Sequence, residues 1–347
     1  MACSTLPTGR GAAVLALVAL LAGCTVRSPQ APLPAPGSEP AAVPLRGASS
    51  TFAAQAFLRW FNQLAVHQNI AAELEVVGSG ESIRSFLAGQ VDFAATDSPP
   101  SPQELQAAPR GLVAFPVTAG AIAIAYNLPG CDLRLKREQL VAIYLGAITN
   151  FAELGCPDQP ITVLHRAAAS GTTANFTASL AAFSPLWRQG PGSGRQVRWP
   201  VGRAVVGSDG MATSLGEIRG SIGYVEAAYV RPPLQAAALQ SGDGAFVKPD
   251  ARAAAQALAA IRLDERLLGG NPDPPTGYPI VNFSWMLVPS RGLGPRLAPV
   301  KTSLTYILSQ AGQDDAERLG YVPLPAELRQ RALRQFGQLK AGQGGGP

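Results

Sequence analysis

The run ITVLHRAAASGTTANFTASL at positions 161–180 constrains this chain more than any other stretch. It opens on Ile161, Thr162, Val163 and Leu164, a β-branched run suited to a buried strand. It then passes through Arg166 and three alanines to Ser170, Gly171 and Thr172. Phe176, Leu180 and Phe183 follow at i, i+4 and i+7, the apolar stripe of an amphipathic helix. A strand feeding a Ser-Gly-Thr at a helix start turns unpaired backbone N–H groups, hydroxyls and the positive dipole end toward one point. With Arg166 beside it, such a turn suits an anion. Taken alone, though, Ser170 is equally an ordinary N-cap and Arg166 an ordinary surface cation.

Repetition shifts the balance. The string GASSTF at 47–52 leads into a helix whose Phe57, Trp60, Phe61 and Leu64 share one face. The strand-like Leu74, Glu75, Val76 and Val77 end at Gly78-Ser79-Gly80, ahead of a helix carrying Ile83, Phe86 and Leu87. Gly207-Ser208-Asp209-Gly210 opens a helix with Met211, Leu215 and Ile218. Four small-residue helix openings suggest convergence on one ligand.

Between them short apolar strands alternate with helices, which argues for α/β layers with mainly parallel strands. Strands are expected at 91–96, 112–117, 121–126, 222–225 and 280–288, and an alanine-rich helix at 251–268. A helix is marked by Leu140, Ile143 and Tyr144, a long loop is expected at 185–202, and two helices near 297–311 and 325–337.

The N-terminus carries a targeting segment. Arg10 precedes an apolar run from Ala12 to Leu21, too short to span a bilayer comfortably. It ends Leu21-Ala22-Gly23-Cys24, which resembles the lipobox of bacterial lipoproteins, with Cys24 as the acylated residue. The proline-rich stretch 25–44 reads as an extended tether, and the glycine tail at 339–347 as disordered. Removal of residues 1–23 takes Cys3 with it. With Cys24 lipidated, Cys131 and Cys156 remain as a pair able to form a disulfide in an oxidising compartment. Sequence does not fix their distance.

The net charge of +5 is spread out, with no run of Lys or Arg and no aromatic-basic interleaving, so nucleic acid is not an expected partner. Catalysis is poorly supported. The two histidines are His67, near the polar end of a helix, and His165, beside Arg166. The chain has no G-x-S-x-G elbow, no H-E-x-x-H and no Walker A lysine, and no Cys/His cluster has metal-ligand spacing. No cofactor or metal is expected.

One acid stands out. Asp97 follows an apolar strand, where open α/β sheets place ligands. As a plain strand terminus it would begin a turn. As a site residue it fits only an anion that still carries a proton, whose O–H it would accept. Monohydrogen phosphate meets that condition and sulfate does not.

The strings GASSTF at 47–52, VGSGESI at 77–83, VDFAATDSP at 91–99, FPVTAGAIAIAYNLPG at 115–130, IYLGAITNF at 143–151, RAAASGTT at 166–173, VRWPVG at 197–202, SDGMA at 208–212 and GSIGYVEAAYV at 220–230 resemble the PstS-type phosphate-binding proteins, the substrate-binding subunits of phosphate ABC importers. The resemblance runs from about residue 47 to 230 and again, more weakly, over 278–324. It implies an α/β, two-lobed periplasmic-binding-protein fold of type II with a two-segment hinge. Residues 45–117 plus 280–338 would form lobe I, and 118–279 lobe II. Thr51, the Phe52 N–H and Ser79 would bind phosphate from the first lobe, with Asp97 accepting its proton. Arg166, Ser170, Gly171 and Thr172 would complete the shell. The partners implied are inorganic phosphate, membrane ABC permease subunits and, through the lipid, the membrane itself. The protein would act as a monomer facing the periplasm or cell exterior.

One departure stands out. Relatives commonly read R-A-D-G-S-G-T, where this chain has Ala168 and Ala169. The missing acid would have oriented the arginine, so a less rigid Arg166 and an altered loop are expected. Asp209 is expected as a helix cap. The competing readings are a receptor or sensor for another tetrahedral oxyanion, and a secreted phosphoester hydrolase using a pocket hydroxyl as nucleophile.

Overall fold

The order in which the strands lie in space explains where a site can form. The computed structural model describes residues 44–342. The signal segment, Cys24 and nearly all of the expected tether lie outside the described residues, as does the end of the glycine tail. The described chain begins β1 (Leu45–Ser50), α1 (Ala54–Gln68), β2 (Ala72–Val77), α2 (Ser79–Leu87), β3 (Phe93–Thr96), α3 (Pro102–Ala107) and β4 (Val113–Tyr126). It continues through β5 (Arg134–Leu135), α4 (Arg137–Leu145), β6 (Thr162–Arg166), α5 (Gly171–Phe183), α6 (Pro185–Gln189), β7 (Arg203–Val205), α7 (Gly207–Glu217) and β8 (Ser221–Glu226). Short strands β9 (Gln235–Ala236), β10 (Ala238–Gln240) and β11 (Phe246–Val247) precede α8 (Ala251–Leu258) and β12 (Val281–Val288). Three helices close it: α9 (Leu297–Ile307), α10 (Gln310–Arg318) and α11 (Ala326–Arg334).

The main sheet runs β2-β1-β3-β12-β4-β8-β6-β7, with β9 also on β4. Its flanks are parallel, β1 with β2 and β3, and β6 with β7 and β8. Its middle is antiparallel, because β12 pairs with both β3 and β4, and β4 pairs with β8. The expectation of mainly parallel strands therefore holds only at the flanks.

The two strands expected at 112–117 and 121–126 are one, β4, of 14 residues. Its first part pairs with β12 as far as Ala121, and from Ile122 onward it pairs with β8. One strand thus joins both halves of the sheet, and its partner changes between Ala121 and Ile122. Pro116 interrupts the sequence pattern because proline cannot donate to a ladder. The strand accommodates it where the register shifts between Ser284 and Trp285 of the partner.

Other boundaries also move. The alanine-rich helix ends at Leu258. Beyond it the chain turns back at Leu267, whose φ is 58°, and closes on Asp264, which accepts from the Leu268 N–H at 2.8 Å. The expected loop over 185–202 contains the short α6, and the C-terminal pair of helices is a trio.

Each lobe has an aromatic core under its helix openings. In the first, Phe57 meets Trp60 edge-on at 5.3 Å and Phe61 stacks on Phe93 at 5.0 Å. In the second, Phe176 of α5 stacks on Tyr224 of β8 at 4.3 Å, and Tyr144 of α4 meets its edge at 4.8 Å. Burying each such ring contributes roughly 2–3 kcal/mol, so the helix starts stand on rigid supports. Among the described residues no helix is long and apolar enough to cross a membrane.

Cys131 and Cys156 are joined, with Cα atoms 5.2 Å apart. The bond closes a loop of 25 residues around α4. Replacing Cys131 by serine should remove about 3 kcal/mol of stability through restored unfolded-state entropy. Thermal melting with and without reductant checks this: wild type should fall to the level of the variant when reduced.

Candidate functional site

The first lobe brings three segments together at the carboxyl ends of β1 and β3. Thr51 and Phe52 lie in the turn between β1 and α1, and Ser79 is the first residue of α2. Asp97 follows β3 and is 1% exposed. Its Oδ1 accepts from Ser50 Oγ at 2.9 Å and Ser284 Oγ at 2.7 Å. Its Oδ2 takes only a long bond from Ser79 Oγ, at 3.3 Å. One carboxylate oxygen is thus filled by neighbours and the other is left with accepting capacity. Burial pushes the carboxyl up to about 6, against the opposing pull of the three hydroxyls and Arg166.

The second lobe faces this with Arg166, the last residue of β6, and with the start of α5. Arg166 is buried, and its backbone N–H donates to Tyr224 Oη at 3.1 Å. Its Nη2 donates across the cleft to Thr51 Oγ1 at 2.8 Å, and its Nη1 reaches Ser208 Oγ at 3.5 Å. Ser208 Oγ in turn donates to Thr51 Oγ1 at 3.1 Å. The expected looseness of Arg166 without a neighbouring acid is met by hydroxyl acceptors from β1–α1 and α7. Among the described residues, Arg166 Nε and Thr172 Oγ1 are buried with no protein partner. Buried donors in that condition point to a ligand.

Ser170 caps α5, its Oγ accepting from Thr173 N at 3.4 Å, which leaves its hydroxyl hydrogen free. Gly171 has to be glycine here, since a Cβ would lie 2.6 Å from Ser79 Oγ and 2.9 Å from Asp97 Cβ. The altered 168–169 loop has a defined place. Ala169 O accepts from Gly80 N at 3.2 Å, so the loop docks on the opening of α2.

The structure thus brings Arg166 to Thr51, and Gly171 to Ser79 and Asp97; Phe52, Ser170 and Thr172 are chain neighbours of these residues. The Asp209 expectation is corrected: α7 is capped by Val206 without a side-chain bond, and Asp209 lies in the first turn. His165 lies beside the site, its ring stacked on Trp199 at 4.9 Å and its Nδ1 3.2 Å from Arg166 O.

Several contributors escaped the sequence reading. Ser284 was visible only as a lone hydroxyl in the apolar β12. Asn175 spans the cleft, donating to Asp97 O at 2.6 Å and Gly171 O at 2.8 Å. Arg195, from the loop after α6, binds Glu104 at 2.6 Å, Ser98 Oγ at 2.8 Å and Pro99 O at 2.9 Å on the other lobe. That clamp holds the lobes together beside Asp97, and its pairing holds the Glu104 carboxyl below its ordinary range despite burial.

Chemically, the cleft offers hydroxyl and backbone donors, one buried cation and one carboxylate able to accept a proton. A hydroxyl nucleophile would need a base; His165 is turned onto Trp199, which leaves Asp97 as the acceptor beside the Ser79 hydroxyl. Among the described residues no group of three or more His, Cys, Asp or Glu side chains is placed to hold a metal ion.

A family model for a PBP superfamily domain matches residues 34–311. The chain is 32% identical to the phosphate-binding protein PstS of Xylella fastidiosa (strain Temecula1), over 82% of this chain and 83% of that one. Among solved structures it resembles the high-affinity periplasmic phosphate-binding protein PfluDING bound with phosphate, with TM-score 0.70 and 21% identity over 83% of this chain and 92% of that one. It also resembles an ABC-type phosphate transport receptor from Vibrio cholerae, with TM-score 0.57 and 20% identity over 81% and 100% of the two chains. These likenesses agree with the two-lobed binding-protein fold.

Proposed function

Since the chain belongs to the PBP superfamily and, within it, to the PstS phosphate-binding proteins, we propose that it captures inorganic phosphate between its lobes and delivers it to an ABC-type importer. The observation that carries this reading to particular residues is the cross-cleft meeting of Arg166 with Thr51, directly beside a buried Asp97. Arg166 would pair with the phosphate oxygens. Thr51, Ser79, Ser170 and Thr172 would donate hydroxyls, and Phe52 and Gly171 backbone N–H groups. Asp97 Oδ2 would accept the single phosphate O–H. Charge-assisted bonds in a dry cleft are short and strong, which suits scavenging at low concentration.

The protein works, in this reading, as a receptor rather than an enzyme. The lobes 45–117 plus 280–338 and 118–279 would move about β4 and the segment entering β12, a hinge supported by the change of sheet partner at Ala121. Export and lipidation at Cys24 would keep it at the outer face of the membrane, in reach of permease subunits.

Calorimetric titration of residues 45–347, stripped of ligand, tests the function. Phosphate should bind one to one, and sulfate should give no heat at pH 8, where Asp97 is ionised. Equal binding of both anions would mean that the cleft reads tetrahedral charge alone.

A further inference from the structure

Glu226 is a second buried acid that the phosphate shell does not use. It ends β8 opposite Ile122, where β4 changes its sheet partner, and it is 1% exposed. Among the described residues, neither carboxyl oxygen has a hydrogen-bond partner. Its titratable neighbours are Asp97 after β3, Asp209 on α7, Tyr229 in the turn after β8 and Tyr321 in the segment after α10. No cation is among them, and Arg166 faces Asp97, Asp209, Tyr224 and Tyr229 instead.

The hydroxyl of Tyr321 settles which form fits. A phenol has one hydrogen, and Tyr321 gives it to Phe52 O at 2.6 Å. That leaves no hydrogen of Tyr321 for Glu226. An ionised carboxylate would set acceptor against acceptor in a dry site, whereas a carboxylic acid can donate its O–H to Tyr321 Oη. Tyr229 meanwhile donates to Thr51 O at 3.4 Å. Consecutive carbonyls of the first helix opening are therefore held by two tyrosines. The peptide that Tyr229 holds by its carbonyl is the one that carries the Phe52 N–H, which the proposed function assigns to phosphate.

We propose that Glu226 is a neutral carboxylic acid at physiological pH and acts as a positioning residue, fixing the Thr51–Phe52 turn through Tyr321. The proposal rests on the phosphate-receptor reading for its functional half. Neutrality serves that function directly, since a second negative charge next to Asp97 would oppose entry of an anion. Burial and the nearby Asp97 hold the Glu226 carboxyl well above its ordinary range, in agreement.

The test uses Glu226→Gln, Glu226→Ala and Tyr321→Phe in the whole protein. Infrared difference spectroscopy at neutral pH should show a protonated-carboxyl C=O band in wild type that Glu226→Gln lacks, and this holds whether or not phosphate is the ligand. Glutamine keeps a donor for Tyr321, so Glu226→Gln should bind phosphate within about threefold of wild type. Glu226→Ala and Tyr321→Phe should each lose about tenfold, and the double variant no more than either, because they break one chain of contacts. Absence of the band, a loss of about a hundredfold in Glu226→Gln, or additive losses in the double variant would each overturn the proposal. A wild type that shows the band but ignores phosphate would sink the receptor reading and, with it, the functional half, leaving Glu226 a neutral structural acid.

Discussion

Replacing Arg166 by alanine should weaken phosphate binding by about a thousandfold while the protein still folds. Arg166 is the one guanidinium that the second lobe brings to the Thr51 hydroxyl, and it is 5% exposed. A dianion in its absence would sit beside the Asp97 carboxylate with no opposing charge. Removing one member of a buried, hydrogen-bonded charge pair costs on the order of 4 kcal/mol, and each tenfold in affinity is about 1.4 kcal/mol. The fold should survive because the backbone N–H of residue 166 keeps its bond to Tyr224 and the aromatic stack beneath α5 is untouched. Lysine should recover only part of the loss, since it restores charge without the planar fork that reaches both Thr51 and Ser208. Calorimetry with phosphate, paired with thermal melting of each variant, checks the result. Alanine binding within about tenfold of wild type would put the anion elsewhere.

The parts of this site that were legible in the sequence share one property: they are local. A strand end, a small residue and the first turn of a helix lie within ten residues, so the openings at Thr51, Ser79, Ser170 and Ser208 could be read from spacing. So could Asp97, a charge closing an apolar run. The aromatic faces of α1 and α5 follow from helical periodicity, and Phe57, Trp60, Phe176 and Leu180 are buried as expected. What could not be read depends on contacts far apart in sequence. Ser284 reaches Asp97 across 187 positions, and Arg195 reaches Glu104 across 91. A lone serine in an apolar strand or an arginine in a glycine-rich loop has no local signature of such a role. The continuity of β4 was hidden for a related reason. Pro116 and Gly120 look like breaks, yet the proline sits at a register shift and the glycine makes room for the Phe52 ring, which a Cβ there would approach to 3.0 Å. Such punctuation is local, whereas the tertiary contacts that override it are not. Local pattern therefore reached the helix openings and not the distant contacts that join them.

Replacing Asp97 by asparagine should open the cleft to sulfate, raising its affinity by about a thousandfold, while phosphate weakens by no more than about tenfold. The asymmetry follows from what each anion can donate. Phosphate carries an O–H that either a carboxylate or an amide oxygen can accept. Sulfate has none at neutral pH, so it meets the Asp97 carboxylate with charge repulsion and an unpaired acceptor; the amide removes the charge and adds two donors. Protonation should do to wild type what asparagine does permanently. The Asp97 carboxyl of the folded protein titrates at about 6, against 3.8 for an ordinary aspartate. Sulfate binding by wild type should therefore appear as pH falls through about 6, and in Asp97→Asn it should be independent of pH over the same range. The same shift carries a stability consequence with a definite sign. Because folding raises this pKa, the protonated acid favours the folded state, and that contribution is lost as pH rises through about 6. Ionised Asp97 then costs the ligand-free protein on the order of 3 kcal/mol, at about 1.4 kcal/mol per pKa unit. Asp97→Asn should accordingly melt higher than wild type without ligand at pH 8, with the gap closing in acid as wild type takes up its proton. With the amide oxygen in the Oδ1 position, Ser50 and Ser284 keep donating to it, and the amide nitrogen faces Ser79 Oγ and the cleft. Titrations with sulfate at several pH values, together with melting of both ligand-free proteins, separate the two effects. A sulfate response unchanged by asparagine would mean that discrimination lies outside Asp97. A variant that melts lower at pH 8 would mean that the hydroxyls around Asp97 compensate its charge more fully than its burial opposes it.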